Sequence, residues 1–445
     1  MDYSFTNYIK QTTKEYAKDT DDLYEAVDFF KRSDSFRKFS DGLTELFKRI
    51  NYDGDLNNKL VMSDYLFEKL QEIGSSVSHE TVYGWVSGKH SPKIEAGSRK
   101  KIYEICFALD LSYDETLWFF NHVYLDRAFN CHNITEAVYY YAFQNNISYQ
   151  QAQEIINEID SSCTDNNISK ENEIYTQYIK SRITAFSDIN TLKEFLIQNK
   201  HEFNQWNKSA LKQLKILIEK LTGNESFKPE IEKLKRRLKY NLESTSNSSE
   251  KLSNQKTFID EIKNNNNCGL IIKEILYDAD YQQNFEHDEK GRYILEKINN
   301  KNIFKNSFIL DYFLLTSSGI KKSIEIPVAA KLNFPSKKTM SDVLDESKVS
   351  TSQSYDAIRK IIILLDFYVF WVEYKLGISD TDDIDPSLIP EIYSDQINET
   401  LAVCGYDPLF EGNPYDWLFL CSANSPDPLK FFFECIQELI SEDED

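Results

Sequence analysis

The side chains best placed to do chemistry lie in one short stretch, Val77-Ser78-His79-Glu80-Thr81-Val82-Tyr83-Gly84-Trp85-Val86-Ser87-Gly88-Lys89-His90-Ser91-Pro92. Ser78 is a good helix N-cap, because its hydroxyl can satisfy an orphan amide two or three residues on. Val82, Trp85 and Val86 share one face at 3.6-residue spacing. Gly88 supplies the C-terminal stop, and Pro92 prevents continuation. The pattern predicts a helix over 78–87 of about two and a half turns. Ser78, His79, Glu80, Thr81 and Tyr83 fall on or near its free face. Lys89, His90 and Lys93 follow directly. Donors, acceptors and cations so arranged suit recognition better than bond making.

Other constellations point to no catalytic, metal or cofactor site. Cys131-His132 has no second Cys/His pair at ligand spacing. His79, His90, His122, His201 and His287 are scattered, and GxSxG, HExxH, P-loop and GxGxxG patterns are absent. The run Asp278 to Glu289 reads as a solvated helix end. Asp380 to Asp385 lacks the Gly and terminal Glu of an EF-hand loop. The basic run Lys233 to Lys239 reads as a solvated face or a secondary contact for nucleic acid or a partner.

The elements that position these residues read as helices throughout. Of 445 residues, only 13 are Gly and 10 Pro, and long stretches without breakers favour helix. The chain is 41% hydrophobic and 14% aromatic, enough apolar material for several cores. Its length suggests roughly two to four domains. The expected class is all-α, built from multi-helix bundles. Residues 1–35 read as N-terminal helices, with Tyr8, Tyr16, Leu23, Val27 and Phe30 as candidate core positions. Residues 36–160 read as one domain with a helical extension, and 161–240 as a polar connector. Residues 241–256 read as a Ser/Asn-rich linker, and 257–445 as a C-terminal helical domain. Within the connector, Lys208 to Tyr240 holds ten Lys/Arg against four Glu.

The net charge of −21 argues against whole-surface affinity for nucleic acid or anionic lipid. Met1 to Ser4 lacks the basic and apolar regions of a signal peptide. The seven cysteines are dispersed, without a CxxC pair, and read as reduced core residues. The expected location is the cytoplasm, with no membrane partner.

Around helix 78–87 the order of elements is specific. Phe36 to Ile50 and Leu60 to Ile73 predict two helices before it, the second ending at Gly74. Ser98 to Leu109 and Ser112 to Phe120 predict two after it. This order, with V-S-x-x-T-V-x-x-W-x-x-G-K-x-x-P in the third helix, resembles the lambda-repressor-like (XRE-type) helix-turn-helix domains over residues 36–121. The loop Tyr52 to Lys59 and the turn before Val77 are longer than that pattern. The layout also resembles bacterial proteins with such a unit and a C-terminal motif like Asn413 to Leu420.

The resemblance implies a third helix in a DNA major groove. Ser78, His79, Glu80, Thr81 and Tyr83 would face base edges, and Lys89, His90 and Lys93 would hold phosphates. From Gly74 to Lys101 five Lys/Arg stand against Glu80 and Glu95. The expected function is a sequence-specific DNA-binding regulator with double-stranded DNA as partner. The helix carries no Arg or Gln for bidentate base contacts. A non-enzymatic interaction scaffold in bacterial signalling or phage defence therefore stays open.

A weaker second copy is read in the C-terminal half, from Val328 to Leu344. Ser336 and Thr339 repeat the Ser78–Thr81 spacing, and Ser336 to Arg359 equals Ser78 to Lys101. Leu125 to Phe129 then Asn133 matches Leu409-Phe410 then Asn413. Ala137–Phe143 matches Trp417–Ala423, and Ser148–Ile159 matches Asp427–Leu439. Asp342, Asp345 and Glu346 lie beside Lys337, Lys338 and Lys348, so this copy suits phosphates less. Partner binding or self-association is expected of it instead.

Overall fold

Local signals start and stop the helices in the computed structural model. It describes residues 17, 22–32, 35–94, 96–126, 128–129, 131, 133–162, 176–200, 203, 208–223, 264–274, 320, 323, 325–335, 337–344, 351–378 and 384–440. Among these the secondary structure is helical, with no strand and one isolated bridge, Gly223 to Cys268. Tyr8, Tyr16, the Lys233–Lys239 run, the linker 241–256, Asp278 to Glu289 and Asp345 to Lys348 lie outside the described residues.

The first helices described in full are α1 (Leu23–Lys31), α2 (Phe39–Arg49), α3 (Lys59–Glu72), α4 (His79–Ser87) and α5 (Ala96–Ala108). The Asp22 and Asn58 carboxyl and amide oxygens cap α1 and α3 by accepting two amides each. α6 (Tyr113–Phe119) starts in a capping box between Ser112 and Glu115 and runs into a π turn, Phe120–Tyr124. Leu125 closes that turn at φ +59°, a left-handed conformation unusual for a branched side chain. α7 (Ile134–Gln144) is buried along most of its length, as its aromatic density predicts. α8 (Tyr149–Ser161), α9 (Thr176–Thr184), α10 (Ile189–Gln198) and α11 (Lys208–Thr222) follow. The second half holds α12 (Val328–Lys331), α13 (Lys337–Leu344), α14 (Thr351–Lys375), α15 (Ile389–Val403), α16 (Pro414–Ala423) and α17 (Pro428–Ile440).

The apolar faces collect into two cores. One runs from Phe39 to Phe203 and is centred on α2 to α10. The other joins α11 to α17, and it recruits α1 from the far end of the chain. Phe29, Phe30 and Phe36 surround the Trp417 ring, with centroids 5.0, 5.9 and 6.0 Å away. α11, read from sequence as part of a polar connector, packs along α14. Residues 1–35 and 161–240 therefore do not group by position: their described helices divide between two cores, because each apolar stripe goes where it is covered.

Two sub-structures in the halves share one arrangement of an arginine, a carboxylate and a backbone carbonyl. Arg99 of α5 is buried and donates to the Glu136 carboxylate (3.0 and 2.8 Å), to Asp126 and to the Ala128 carbonyl (3.3 Å). Arg359 of α14 donates to the Asp416 carboxylate (2.9 and 2.8 Å) and to the Pro408 carbonyl (3.1 Å). Glu136 and Asp416 are each the third residue of a buried helix capped by Asn133 or Asn413. The pairs Ala128/Pro408, Asn133/Asn413 and Glu136/Asp416 are all 280 positions apart. The following helices, α8 and α17, are both 13 residues long. By role the partner of Arg359 is Arg99, not the Lys101 that residue spacing suggests. The correspondence fades earlier: α12 and α13 have 4 and 8 residues, against 14 and 9 in α3 and α4.

Candidate nucleic-acid interface

Helix α4 is held from three sides. Ser78 caps it, its hydroxyl accepting from the Thr81 amide (3.3 Å). Gly88, at φ +76°, ends it in the left-handed conformation that glycine adopts without steric cost. Val82, Trp85 and Val86 are buried against α2 and α3. The turn before it is anchored by a buried carboxylate. Ser75 donates to Glu104 (2.6 Å), which also accepts from the Tyr149 hydroxyl (3.0 Å). Helices α5 and α8 thus fix how α3 turns into α4.

The residues expected on the free face range from exposed to half-buried. Ser78 and Glu80 are exposed, and His79 and Tyr83 are half-buried. Thr81 is half-buried as well, on the flank it shares with Trp85 four residues on, and its hydroxyl pairs with that of Ser78 (2.9 Å). Ser87, one turn beyond Tyr83, adds to the face, half-buried and donating to the Gly84 carbonyl (3.4 Å).

Lys89, His90 and Lys93 are exposed. The Lys89 ammonium sits over the Tyr83 ring at 4.9 Å, a cation–π contact that leads its charge back along α4. His90 folds over Gly84, where a Cβ would come within 2.0 Å of its Nε2. Its amide donates to the Gly84 carbonyl (3.3 Å). The Lys93 carbonyl accepts from the Tyr124 hydroxyl (2.7 Å). A small pocket beside this segment is lined by Ser91, Pro92, Tyr124, Leu332 and Asn333.

Charge divides the surroundings. Arg99, part of the basic count around this helix, is removed from it by burial. Desolvation pulls its guanidinium down, and Glu136 and Asp126 more than reverse this, leaving it well above its ordinary value. On the other side, α3 presents exposed Asp64, Glu68 and Glu72, a stripe at i, i+4 spacing. Cations therefore gather at the C-terminal end of α4 and acids along α3. His79 meets this stripe: its Nε2 lies 2.6 Å from Asp64 Oδ1, and its ring stands at 90° to Phe67 with centroids 5.2 Å apart. Sequence reasoning missed Asp64, because a residue 15 positions away is joined to His79 only by the α3–α4 packing.

Among the described residues, no three His, Cys, Asp or Glu side chains group to hold a metal ion. The six described cysteines are buried and unbridged. No described helix is long and apolar enough to cross a membrane. No protein-family model, characterised protein or solved structure matches the chain.

Proposed function

We propose that this chain is a sequence-specific DNA-binding regulator of the bacterial cytoplasm, laying α4 into a major groove. One observation carries the reading. A short helix, capped at both ends and packed through Val82, Trp85 and Val86, presents hydrogen-bonding side chains and ends in exposed Lys89, His90 and Lys93. A groove about 12 Å wide admits such a helix, and base edges offer partners for its face. The phosphate strand runs on the Lys89–Lys93 side, since the α3 acids repel it within a Debye length of about 8 Å. The second half serves association or signal reception. Selection from a random duplex library at stated salt tests this. Enrichment of one sequence is expected; no enrichment at any salt overturns it.

A second reading is a protein-interaction scaffold. The net charge of −21 and the Asp64–Glu68–Glu72 stripe beside α4 favour it. Stoichiometric capture of a protein without duplex enrichment would select it.

A further inference from the structure

The contact between His79 and Asp64 has a consequence for which base the helix reads, resting on the DNA reading above. A carboxylate only accepts hydrogen bonds, so in the neutral imidazole the nitrogen facing it carries the proton. Nε2 faces Asp64 Oδ1 at 2.6 Å, which leaves Nδ1 as the acceptor. The edge-to-face contact with Phe67 restricts the second degree of freedom, rotation of the ring. His79 is the first residue of α4, where side chains of a groove-bound helix reach base edges.

We propose that Asp64 is a positioning residue that sets the hydrogen-bonding polarity of His79. The ring then offers an acceptor, and the preferred base at that position presents an exocyclic amine in the major groove: adenine N6 or cytosine N4. Guanine, which shows two acceptors there, is rejected. Both partners are close to half-exposed in the free protein, with side-chain exposures of 42% and 50%. Their contact is weak in water and strengthens when a groove excludes it. Asp64 also brings a negative charge toward the phosphates. It therefore costs affinity for every duplex while adding discrimination at one position.

These opposite signs make the test. Duplex selection is run on the full chain with wild type and Asp64→Ala, alongside nitrogen-15 spectra of the labelled histidine rings without DNA. Wild type is expected to show one His79 ring form, protonated at Nε2, and a preference for adenine or cytosine at one position. Asp64→Ala is expected to mix the ring forms and bind all duplexes equally well or better. It should lose about fivefold discrimination at that position alone, the size of one net hydrogen bond. An unchanged base preference in Asp64→Ala, with enrichment still present, overturns the positioning role. So does guanine at that position in wild type. Loss of all enrichment in wild type removes the DNA reading itself, and the base preference with it.

Discussion

At the scale of single residues, charge and burial make opposite demands on neighbouring positions. Lys89 is exposed, and among the described residues its ammonium touches the Tyr83 ring alone, so it can meet a phosphate without giving up a salt bridge there. Lys89→Ala should weaken binding to every duplex alike and flatten the log–log salt slope by about 0.9. A titration series over salt concentration measures both. Asp366 has the reverse environment. It sits within the buried face of α14, and its Oδ2 has no hydrogen-bond partner among the described residues. Desolvation pushes its carboxyl up to about 7; Lys220 from α11 and Gln396 from α15 pull it down, and Glu373 pushes it up. Tyr393 and Cys404 face the same carboxyl. The native state therefore keeps a proton that the unfolded chain releases near 3.8. Stability should fall as pH rises from about 4 to 7, then level off, by about 1.4 kcal/mol per unit of that window. Asp366→Asn removes this loss. Denaturant unfolding should show it more stable than wild type at pH 8 and nearly equal at pH 4.

Elements in this chain are joined by a few buried polar contacts placed at helix starts. The arginine of α5 and that of α14 each hold the third residue of a capped, buried helix, and each also takes a carbonyl of the segment leading into it. These contacts align α7 and α16 with the helices ahead of them. Breaking one side of such a pair leaves a buried charge without compensation. Arg99→Ala should cost about 3–5 kcal/mol by leaving Glu136 and Asp126 facing each other. A double replacement, Arg99→Met with Glu136→Gln, should recover part of that loss, since it removes the arginine and one of its two carboxylates and leaves Asp126 alone uncompensated. Chemical denaturation of the two variants compares them. Recovery identifies a compensated pair; equal losses mean that Arg99 acts by packing alone.

The two cores meet through Asn413. Its Oδ1 caps α16 by accepting from Tyr415 and Asp416, and its Nδ2 donates to the Leu125 carbonyl (3.0 Å) and to Asn333 Oδ1 (3.2 Å). One side chain thus starts a helix in the second core and grips the left-handed corner that ends the π turn in the first. The His122 and Phe410 rings meet beside it, 5.1 Å apart. Asn413→Asp keeps the cap and turns the donor into an acceptor that faces two other oxygens. Calorimetry should then resolve two unfolding transitions in place of one, and amide exchange should rise around 125–129. A single transition with unchanged protection would show that apolar packing alone docks the halves. Cutting at 241–256 is a poor route to separate halves, because α1 and α11 precede that stretch and complete the second core.

How much was legible in the sequence follows from the range of each interaction. Helical class and the bounds of α4 are local properties: the Ser78 cap acts over three residues, the Gly88 stop over one, and the Val82-Trp85-Val86 stripe over one turn. Burial of α7 is likewise written in its dense aromatic and apolar run. Tertiary structure decided the rest. Arg99 counts as a surface cation until α7 supplies Glu136 to bury it. Asp64 belongs to α3 alone until the turn held by Glu104 sets it against His79. A period of 3.6 tells which residues of one helix share a side. Which foreign side chain meets that side depends on contacts between residues distant in the chain, as where α1 reaches Trp417.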